Sequence, residues 1–179
     1  MTSRADFSAV SRRRFLKYSL GAGSLLLMGG GGGLLALRGR APAVDGLRAL
    51  SAHEYRTLAA LAEALYPEGG AFALGAGETD VVRRVDAFLA DEPPWNRRDL
   101  KRALVLLEFG PLLFDRRLVT FSHLEPDARA AHFARWTTCD GDARRQASLA
   151  FRRLLALLFY DRPEAWAGVG YDGPYLARS

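Results

Sequence analysis

Glu108, His123 and His132 are the residues whose side chains best suit hydrolytic or metal-assisted chemistry. A carboxylate within an apolar stretch is prone to a shifted pKa, and imidazoles beside it would complete a general acid–base or metal-binding set. The spacing does not support such a set, because no histidine follows an acid by three residues and the H-E-x-x-H pattern is absent. We expect Glu108 on the polar face of its helix and His132 in half-buried packing. A hydrolase or metalloenzyme built on the three residues is the least favoured alternative.

Cys139 is the only cysteine, so the chain can form no internal disulfide and has no C-x-x-C-H haem attachment. Asp140 and Asp142 would raise the pKa of its thiol, the opposite of what an activated nucleophile needs. The chain also lacks a G-x-S-x-G elbow and a G-x-G-x-x-G turn after a strand. His123 and Glu125 are expected as a solvated loop pair. The sequence therefore predicts no catalytic, metal-binding or cofactor-binding residue, and no enzyme in this chain.

The most specific motif in the chain is a twin-arginine export signal. Every position of the S-R-R-x-F-L-K pattern is filled, by Ser11, Arg12, Arg13, Phe15, Leu16 and Lys17. Paired arginines before an apolar run, here residues 20–37, direct folded cargo to the twin-arginine translocase. The motif predicts a periplasmic protein. A basic patch for nucleic acid or anionic lipid is the alternative, but it does not account for the serine, the Phe-Leu pair or the apolar run.

The fate of the signal after export has two readings. Ala41-Pro42-Ala43 offers a cleavage site after Ala43. An uncleaved membrane anchor is the alternative, because residues 20–37 are just long enough to cross a bilayer, and Arg38 and Arg40 suit the far interface. Five consecutive glycines at 29–33 weaken a helix there. We expect membrane association through a complex or through the uncleaved segment.

Net charge distinguishes two parts of the chain. The 179 residues include 25 basic and 20 acidic side chains, a formal charge of +5. Residues 1–43, the predicted signal peptide, contain seven of the basic residues and one of the acidic residues. Residues 44–179 are thus close to neutral, and their length suits one domain. A neutral domain argues against a nucleic-acid partner, which needs a basic face.

Residues 44–179 predict an all-α fold, a compact bundle of about five helices in a single domain. Apolar residues recur at helical spacing throughout, and no alternating strand pattern is long enough to defend. The predicted helices begin at Ser51, at Thr79, near Arg97, at Pro126 and at Gly141.

Three of the helix ends have specific local signals. Ser51 and Glu54 form a capping box at the start of the first helix. Thr79 is expected to cap the second helix, with Asp80 in its first turn. Gly110-Pro111 should kink or end the third helix, because proline lacks the amide hydrogen that a helix interior needs.

Aromatic residues provide the candidate surface for a protein partner. Tryptophan and tyrosine are enriched among the residues that dominate binding energy at interfaces. Core packing is the competing role, and for Trp166 and Tyr171 the two roles are equally favoured. The candidate partner contacts are Trp95, Trp166, Tyr171 and Tyr175.

Short motifs along nearly the whole chain suggest a family relationship. They are the twin-arginine start, the helices at 50–67, 85–89 and 104–108, the stretch 121–124 leading to Phe133 and Trp136, and Trp166 followed by 170–174. In these motifs the chain resembles the gluconate 2-dehydrogenase subunit 3 family, the small subunits of membrane-bound, flavin-dependent sugar and alcohol dehydrogenases. It departs at Glu125-Pro126, where a serine or threonine cap is expected.

The resemblance implies a non-catalytic small subunit that assists folding of a catalytic subunit and carries it across the membrane. In that family the large subunit has a glucose-methanol-choline oxidoreductase fold and holds FAD, and a cytochrome c subunit with haem c often accepts the electrons. A partner without a signal can cross only as a folded complex with a chain that has one. The alternative function is an independent, membrane-anchored periplasmic helical module for binding or structure.

Overall fold

The computed structural model describes residues 37–70 and 74–172, and all regular structure in these ranges is helical. The predicted all-α class is therefore confirmed. The α-helices are α1 (Ala52–Leu65), α2 (Val81–Asp91), α3 (Pro94–Glu108), α4 (Gly110–Asp115), α5 (Pro126–Thr138), α6 (Asp142–Tyr160) and α7 (Pro163–Trp166). Two 3₁₀ turns lie at Phe121–His123 and Ala167–Val169. No helix in the described ranges combines the length and apolarity needed to cross a membrane.

The five predicted helices correspond to α1, α2, α3, α5 and α6, and the two additional helices are short. The capping box of α1 is confirmed: Ser51 Oγ accepts from the Glu54 amide over 3.3 Å, and Glu54 Oε2 accepts from the Ser51 amide over 2.7 Å. The third helix starts at Pro94, three residues earlier than predicted, because proline is well suited to a first helical turn. A break at Phe109 separates α3 from α4, as Gly110-Pro111 predicted.

The predicted cap of α2 by Thr79 is wrong. The N-cap residue is Asp80, with a left-handed φ of 52° and no hydrogen bond from its side chain to the helix. Thr79 is 3% exposed, and its hydroxyl donates to the carbonyl of Ala76 over 3.2 Å. A buried hydroxyl needs a partner, and Thr79 finds one in the preceding turn, while Asp80 takes the N-cap position.

The core forms around α1, which packs against α2, α3 and α5, while α6 closes over α2 and α5. Its largest fully buried side chains are Trp136, Phe121, Phe133, Phe151 and Phe159. These rings come from α5, α6 and the first 3₁₀ turn, so the C-terminal half of the described chain supplies the largest core side chains.

Candidate functional site

Glu108 lies at the last position of α3 and is buried, with only 1% of its surface exposed. The expectation that it would lie on the polar face of its helix is wrong. It follows Leu104 by four residues, and residues four apart share a helix face, so the register of the apolar stripe takes Glu108 inward.

The partners of the Glu108 carboxylate come from two other elements. Thr57 in α1 donates its hydroxyl to Oε2 over 3.0 Å. Ser122 in the 3₁₀ turn donates its hydroxyl to Oε1 over 2.7 Å and its amide to Oε2 over 3.2 Å. The guanidinium of Arg56 lies 3.9 Å from Oε1. We call these four residues the Glu108 cluster; they join α1, α3 and the 3₁₀ turn.

His132, expected in half-buried packing, is in fact 1% exposed. Its Nδ1 lies 2.6 Å from Asp115 Oδ2, and the Trp136 indole donates to its Nε2 over 3.0 Å. Since the indole can only donate, Nε2 is the unprotonated nitrogen and Nδ1–H donates to Asp115. Both ring nitrogens are thus engaged, which leaves neither for a substrate proton or a metal ion. We call Asp115, His132 and Trp136 the His132 cluster.

Burial dominates the protonation of this cluster. Burial is the largest influence on the pKa of His132; together with the charges of Arg135 and Arg144 it outweighs the raising effect of Asp115, so the pKa is lowered and the ring favours the neutral form. Burial also acts to raise the pKa of Asp115. Hydrogen bonds from His132 and Arg135 outweigh that effect and hold the pKa of Asp115 below its usual value. A neutral imidazole against an ionised carboxylate is a stable buried arrangement.

His123 is exposed and takes a partner of its own, since its Nδ1 lies 2.7 Å from the Thr120 hydroxyl. Glu125 is also exposed and makes no side-chain cap for α5. Glu108, His123 and His132 therefore occupy three different hydrogen-bonded settings rather than one site. Within residues 37–70 and 74–172, no group of three or more His, Cys, Asp or Glu residues could hold a metal ion.

An open groove of about 440 Å³ lies where α6, α7 and the second 3₁₀ turn meet. Its lining residues, which we call the aromatic groove, are Tyr160, Asp161, Trp166, Val169 and Tyr171. The Trp166 indole donates to the Tyr160 carbonyl over 2.8 Å, and its ring meets that of Tyr171 edge-on at 5.2 Å. Val169 is 50% exposed and Tyr171 is 43% exposed.

The aromatic groove rests on ordered structure. Beneath it, Tyr66 stacks on Phe159 with ring centroids 4.2 Å apart. Arg84 of α2 donates to the carbonyl of Leu158 over 2.7 Å and pairs with the carboxylate of Asp161. The one acid of the groove is therefore neutralised, and the groove presents mainly aromatic and aliphatic surface, as protein-binding patches do.

The structure brings two of the predicted partner contacts together, Trp166 and Tyr171, in the aromatic groove. Trp95 is 57% exposed in the first turn of α3 and does not line it. Tyr175 and the export motif, Ser11 to Lys17, lie outside the described residues. Sequence reasoning missed Tyr160 and Val169; the aromatic run Phe159-Tyr160 at the end of α6 was the available signal.

The chain between the end of the apolar run and α1 is held against the domain, and we call residues 38–50 the junction segment. Arg56 donates to the carbonyls of Arg38 and Arg40, the latter over 3.3 Å. Asp86 of α2 accepts the three consecutive amides of residues 48–50 at 2.7 to 2.9 Å. Burial acts to raise the pKa of Asp86, but these amide hydrogen bonds outweigh it and the pKa is lowered. The predicted cleavage site after Ala43 lies between the residues that Arg56 contacts and the residues that Asp86 contacts.

These features describe a small helical domain whose Glu108 carboxylate and His132 ring are hydrogen-bonded internally, and which carries an exposed aromatic groove. Comparisons with family models, with curated proteins and with solved structures found no match to this chain. The function of the chain is therefore inferred from its residues and their geometry.

Proposed function

We propose that this chain is a non-catalytic small subunit of a periplasmic, FAD-dependent dehydrogenase complex of the gluconate 2-dehydrogenase type. It assists folding of the catalytic subunit and carries that subunit through the twin-arginine translocase. FAD belongs to the catalytic partner in this proposal, and haem c belongs to a cytochrome c subunit. The chain itself holds no cofactor and catalyses no reaction.

The observation that carries the proposal is the aromatic groove in a chain that begins with an export motif. Trp166 and Tyr171 lie in an open groove whose only carboxylate is already paired with Arg84. Exposed tryptophan and tyrosine side chains in a groove are typical of the residues that dominate binding energy at protein interfaces. A twin-arginine signal on a chain that offers such a surface suits a subunit that exports a bound partner.

The two polar clusters support a non-catalytic role. Glu108 accepts from Thr57 and Ser122, and His132 lies between Asp115 and Trp136. A general base needs an accessible lone pair within reach of a substrate proton. The Glu108 oxygens and the His132 ring nitrogens all bond to neighbouring side chains or backbone, which supports a role for both residues in holding elements together.

Purification from the native host tests the proposal. An affinity tag inserted between Asp140 and Gly141 lies at the start of α6, about 28 Å along that helix from the aromatic groove. We expect a flavoprotein without its own signal to be recovered in near-stoichiometric amount, identified by mass spectrometry and by its flavin absorbance. Recovery of the chain alone from membrane and soluble fractions would overturn the proposal and favour the independent periplasmic module.

The export step has its own test. Arg12→Lys combined with Arg13→Lys should leave both this chain and the flavoprotein in the cytoplasm, because the partner depends on the signal of this chain. Fractionation and immunoblotting of both proteins measure the outcome. Arg152→Lys with Arg153→Lys is the matched control, since it makes the same exchange on α6. Normal export of the partner in the first variant would refute carriage by this chain.

A further inference from the structure

The junction segment enters the described domain at a defined place. The Arg38 guanidinium lies over the Phe109 ring, 5.3 Å from its centroid. A Cβ on Gly39 would be 3.6 Å from His123 Nε2, so this part of the segment lies directly beside the His123 ring. Together with Arg56, which binds the carbonyls of residues 38 and 40, these contacts fix the position of the segment on one end of the bundle.

A short loop lies at the same end, and we call residues 116–119 the basic loop. Its Arg117 amide donates to the Pro111 carbonyl over 3.0 Å, two residues beyond Phe109. Just after it, the Thr120 hydroxyl lies 2.7 Å from His123 Nδ1. The basic loop therefore runs between the surroundings of Phe109 and His123, the two residues that the junction segment contacts.

The basic loop has an unusual surface. Leu118 is 79% exposed, the highest fraction among the large apolar residues described. Arg116 and Arg117 precede it and are exposed, and no carboxylate forms an ion pair with either within the described part of the chain. The nearest acid in sequence, Asp115, is paired with Arg135 and His132. An exposed leucine beside two arginines without ion-pair partners combines the two attractions that bind proteins to charged membranes.

We propose that the basic loop binds the anionic surface of a phospholipid bilayer, with Leu118 at the boundary of the headgroups and Arg116 and Arg117 on the phosphates. The proposal rests on the export part of the proposed function, because the apolar run at 20–37 is what brings a membrane to this end. That run ends at Leu37, and three residues span at most about 10 Å. A bilayer that receives residues 20–37 is therefore within about 10 Å of Arg40, which is exposed.

Charge and reach favour lipid over a protein as the occupant. Arginine side chains extend to headgroup phosphates while their aliphatic parts remain in the interface. Arg38 and Arg40 add to the positive charge at the same end. The aromatic groove, by contrast, has its acid neutralised and is the surface that we assign to the protein partner.

Fluorescence of the full chain in lipid nanodiscs tests this inference. Leu118→Cys in a Cys139→Ser background places an environment-sensitive dye at the tip of the basic loop. The discs contain phosphatidylcholine alone or mixed with phosphatidylglycerol, and spin-labelled lipids report contact by quenching. We expect quenching at position 118 in the anionic discs, weakened by added salt because the attraction is screened. A disc exposes both faces, so the orientation of the chain does not affect the comparison.

Charge reversal provides the decisive variant. Arg116→Glu with Arg117→Glu should lower the equilibrium constant for loop contact by at least about 30-fold, since two phosphate attractions are lost. Arg152→Glu with Arg153→Glu changes the charge by the same amount on α6 and should leave quenching at 118 intact. A dye at Leu157→Cys, a position 61% exposed on α6, should not respond to phosphatidylglycerol. Far-ultraviolet circular dichroism checks that every variant is folded.

Two kinds of result would overturn the inference. One is equal quenching at position 118 in neutral and anionic discs, or equal quenching with and without the charge reversal. The other is a dye at position 118 that is shielded only when the co-purified flavoprotein is present, which would assign the basic loop to a protein. Neither result depends on recovery of the partner in the native host, so failure here is distinguishable from failure of the proposed function.

Discussion

The Glu108 cluster and the aromatic groove use their side chains in opposite ways. At the Glu108 cluster, the buried carboxylate accepts hydrogen bonds from the Thr57 hydroxyl and from the Ser122 amide and hydroxyl, all within the domain. At the aromatic groove, rings that would suit a core remain half-exposed around an open volume of about 440 Å³. Buried polar groups without partners are costly, whereas exposed aromatic surface gains free energy only when something covers it. The first arrangement favours a structural role and the second a binding role.

The comparison predicts that removing Glu108 will have the largest effect on stability. Glu108→Ala leaves the Ser122 amide without its acceptor, removes one of the two acceptors of the Thr57 hydroxyl, and takes away the carboxylate that faces the Arg56 guanidinium. We expect the free energy of unfolding to fall by about 3 kcal/mol, measured by urea denaturation. Glu108→Gln keeps one acceptor oxygen and should cost about 1 kcal/mol.

Glu125→Ala is the matched control for this prediction. Its carboxylate is exposed and makes no cap hydrogen bond, so its removal should change stability by less than about 0.5 kcal/mol. Equal urea midpoints for Glu108→Ala and Glu125→Ala would mean that the Glu108 cluster does not hold the domain together. The Glu108 cluster would then have no structural role to set against the binding role of the aromatic groove.

The sequence predicted those parts of the fold that depend on near neighbours. Ser51 and Glu54 are three residues apart, and the break at Gly110-Pro111 is a property of those two residues themselves. The five predicted helices and the all-α class follow from the same short-range pattern of apolar residues, and the structure confirms both. Thr79 shows the limit, because its hydroxyl can accept from the helix amides that follow it or donate to the carbonyls that precede it, and local rules do not say which bond it makes.

The contacts that define the sites connect residues far apart in the chain. Thr57 and Glu108 are separated by 51 residues, and the amides of residues 48–50 meet Asp86 across 36 to 38 residues. Such pairs depend on how helices pack, which periodicity alone does not fix. Glu108 could have been placed by its register with Leu104, but its charge outweighed that signal. Trp166 and Tyr171 were recognisable by type, whereas their meeting in one groove was not.

A second substitution tests the His132 cluster by steric means. A Cβ at Gly110 would lie 2.7 Å from His132 Nε2 and 3.1 Å from the Trp136 ring, and both side chains are buried. Gly110→Ala should therefore destabilise the protein by about 2 kcal/mol. Gly77→Ala is the control, since nothing lies within 4 Å of the added Cβ, and it should be neutral or slightly stabilising. A stable Gly110→Ala variant would show that the cluster is not closely packed.

The pH dependence of stability tests the neutral state of His132. Its folded-state pKa lies below the ordinary value of 6.5, so below pH 6.5 the unfolded chain binds more protons than the folded protein. Stability is therefore full above pH 6.5 and falls as the pH drops towards the folded pKa, by at most about 1.4 kcal/mol per pH unit for one proton. The pKa of Asp115 is also lowered, which adds a further loss below about pH 3.8.

The variant His132→Gln should flatten the slope of unfolding free energy between about pH 7 and pH 5. His53 has a lowered pKa too, through burial and the nearby charges of Arg38 and Arg56, so it contributes in the same direction. His53→Gln is thus the necessary comparison, and we expect it to leave most of the slope in place. An unchanged slope in His132→Gln would contradict the assignment of a buried neutral imidazole.

The smallest effect on stability, and the largest on binding, should come from the aromatic groove. Tyr171→Ala removes a ring that is 43% exposed, so unfolding free energy should change by less than about 1 kcal/mol. If the groove is a hot spot, recovery of the flavoprotein should fall by about 30-fold or more, the equivalent of about 2 kcal/mol. Urea denaturation and quantitative mass spectrometry of the purified complex measure the two quantities on the same variant.

Trp95→Ala makes this test specific, because Trp95 is more exposed than Tyr171, at 57%, and does not line the groove. General surface aromaticity predicts equal losses of partner for both variants, whereas a defined groove predicts a loss for Tyr171→Ala alone. Val169→Asp, which places a charge in the groove without removing a ring, should reproduce the loss. Full recovery of the partner with both groove variants would contradict the binding role, and the aromatic groove would then differ from the Glu108 cluster only in exposure.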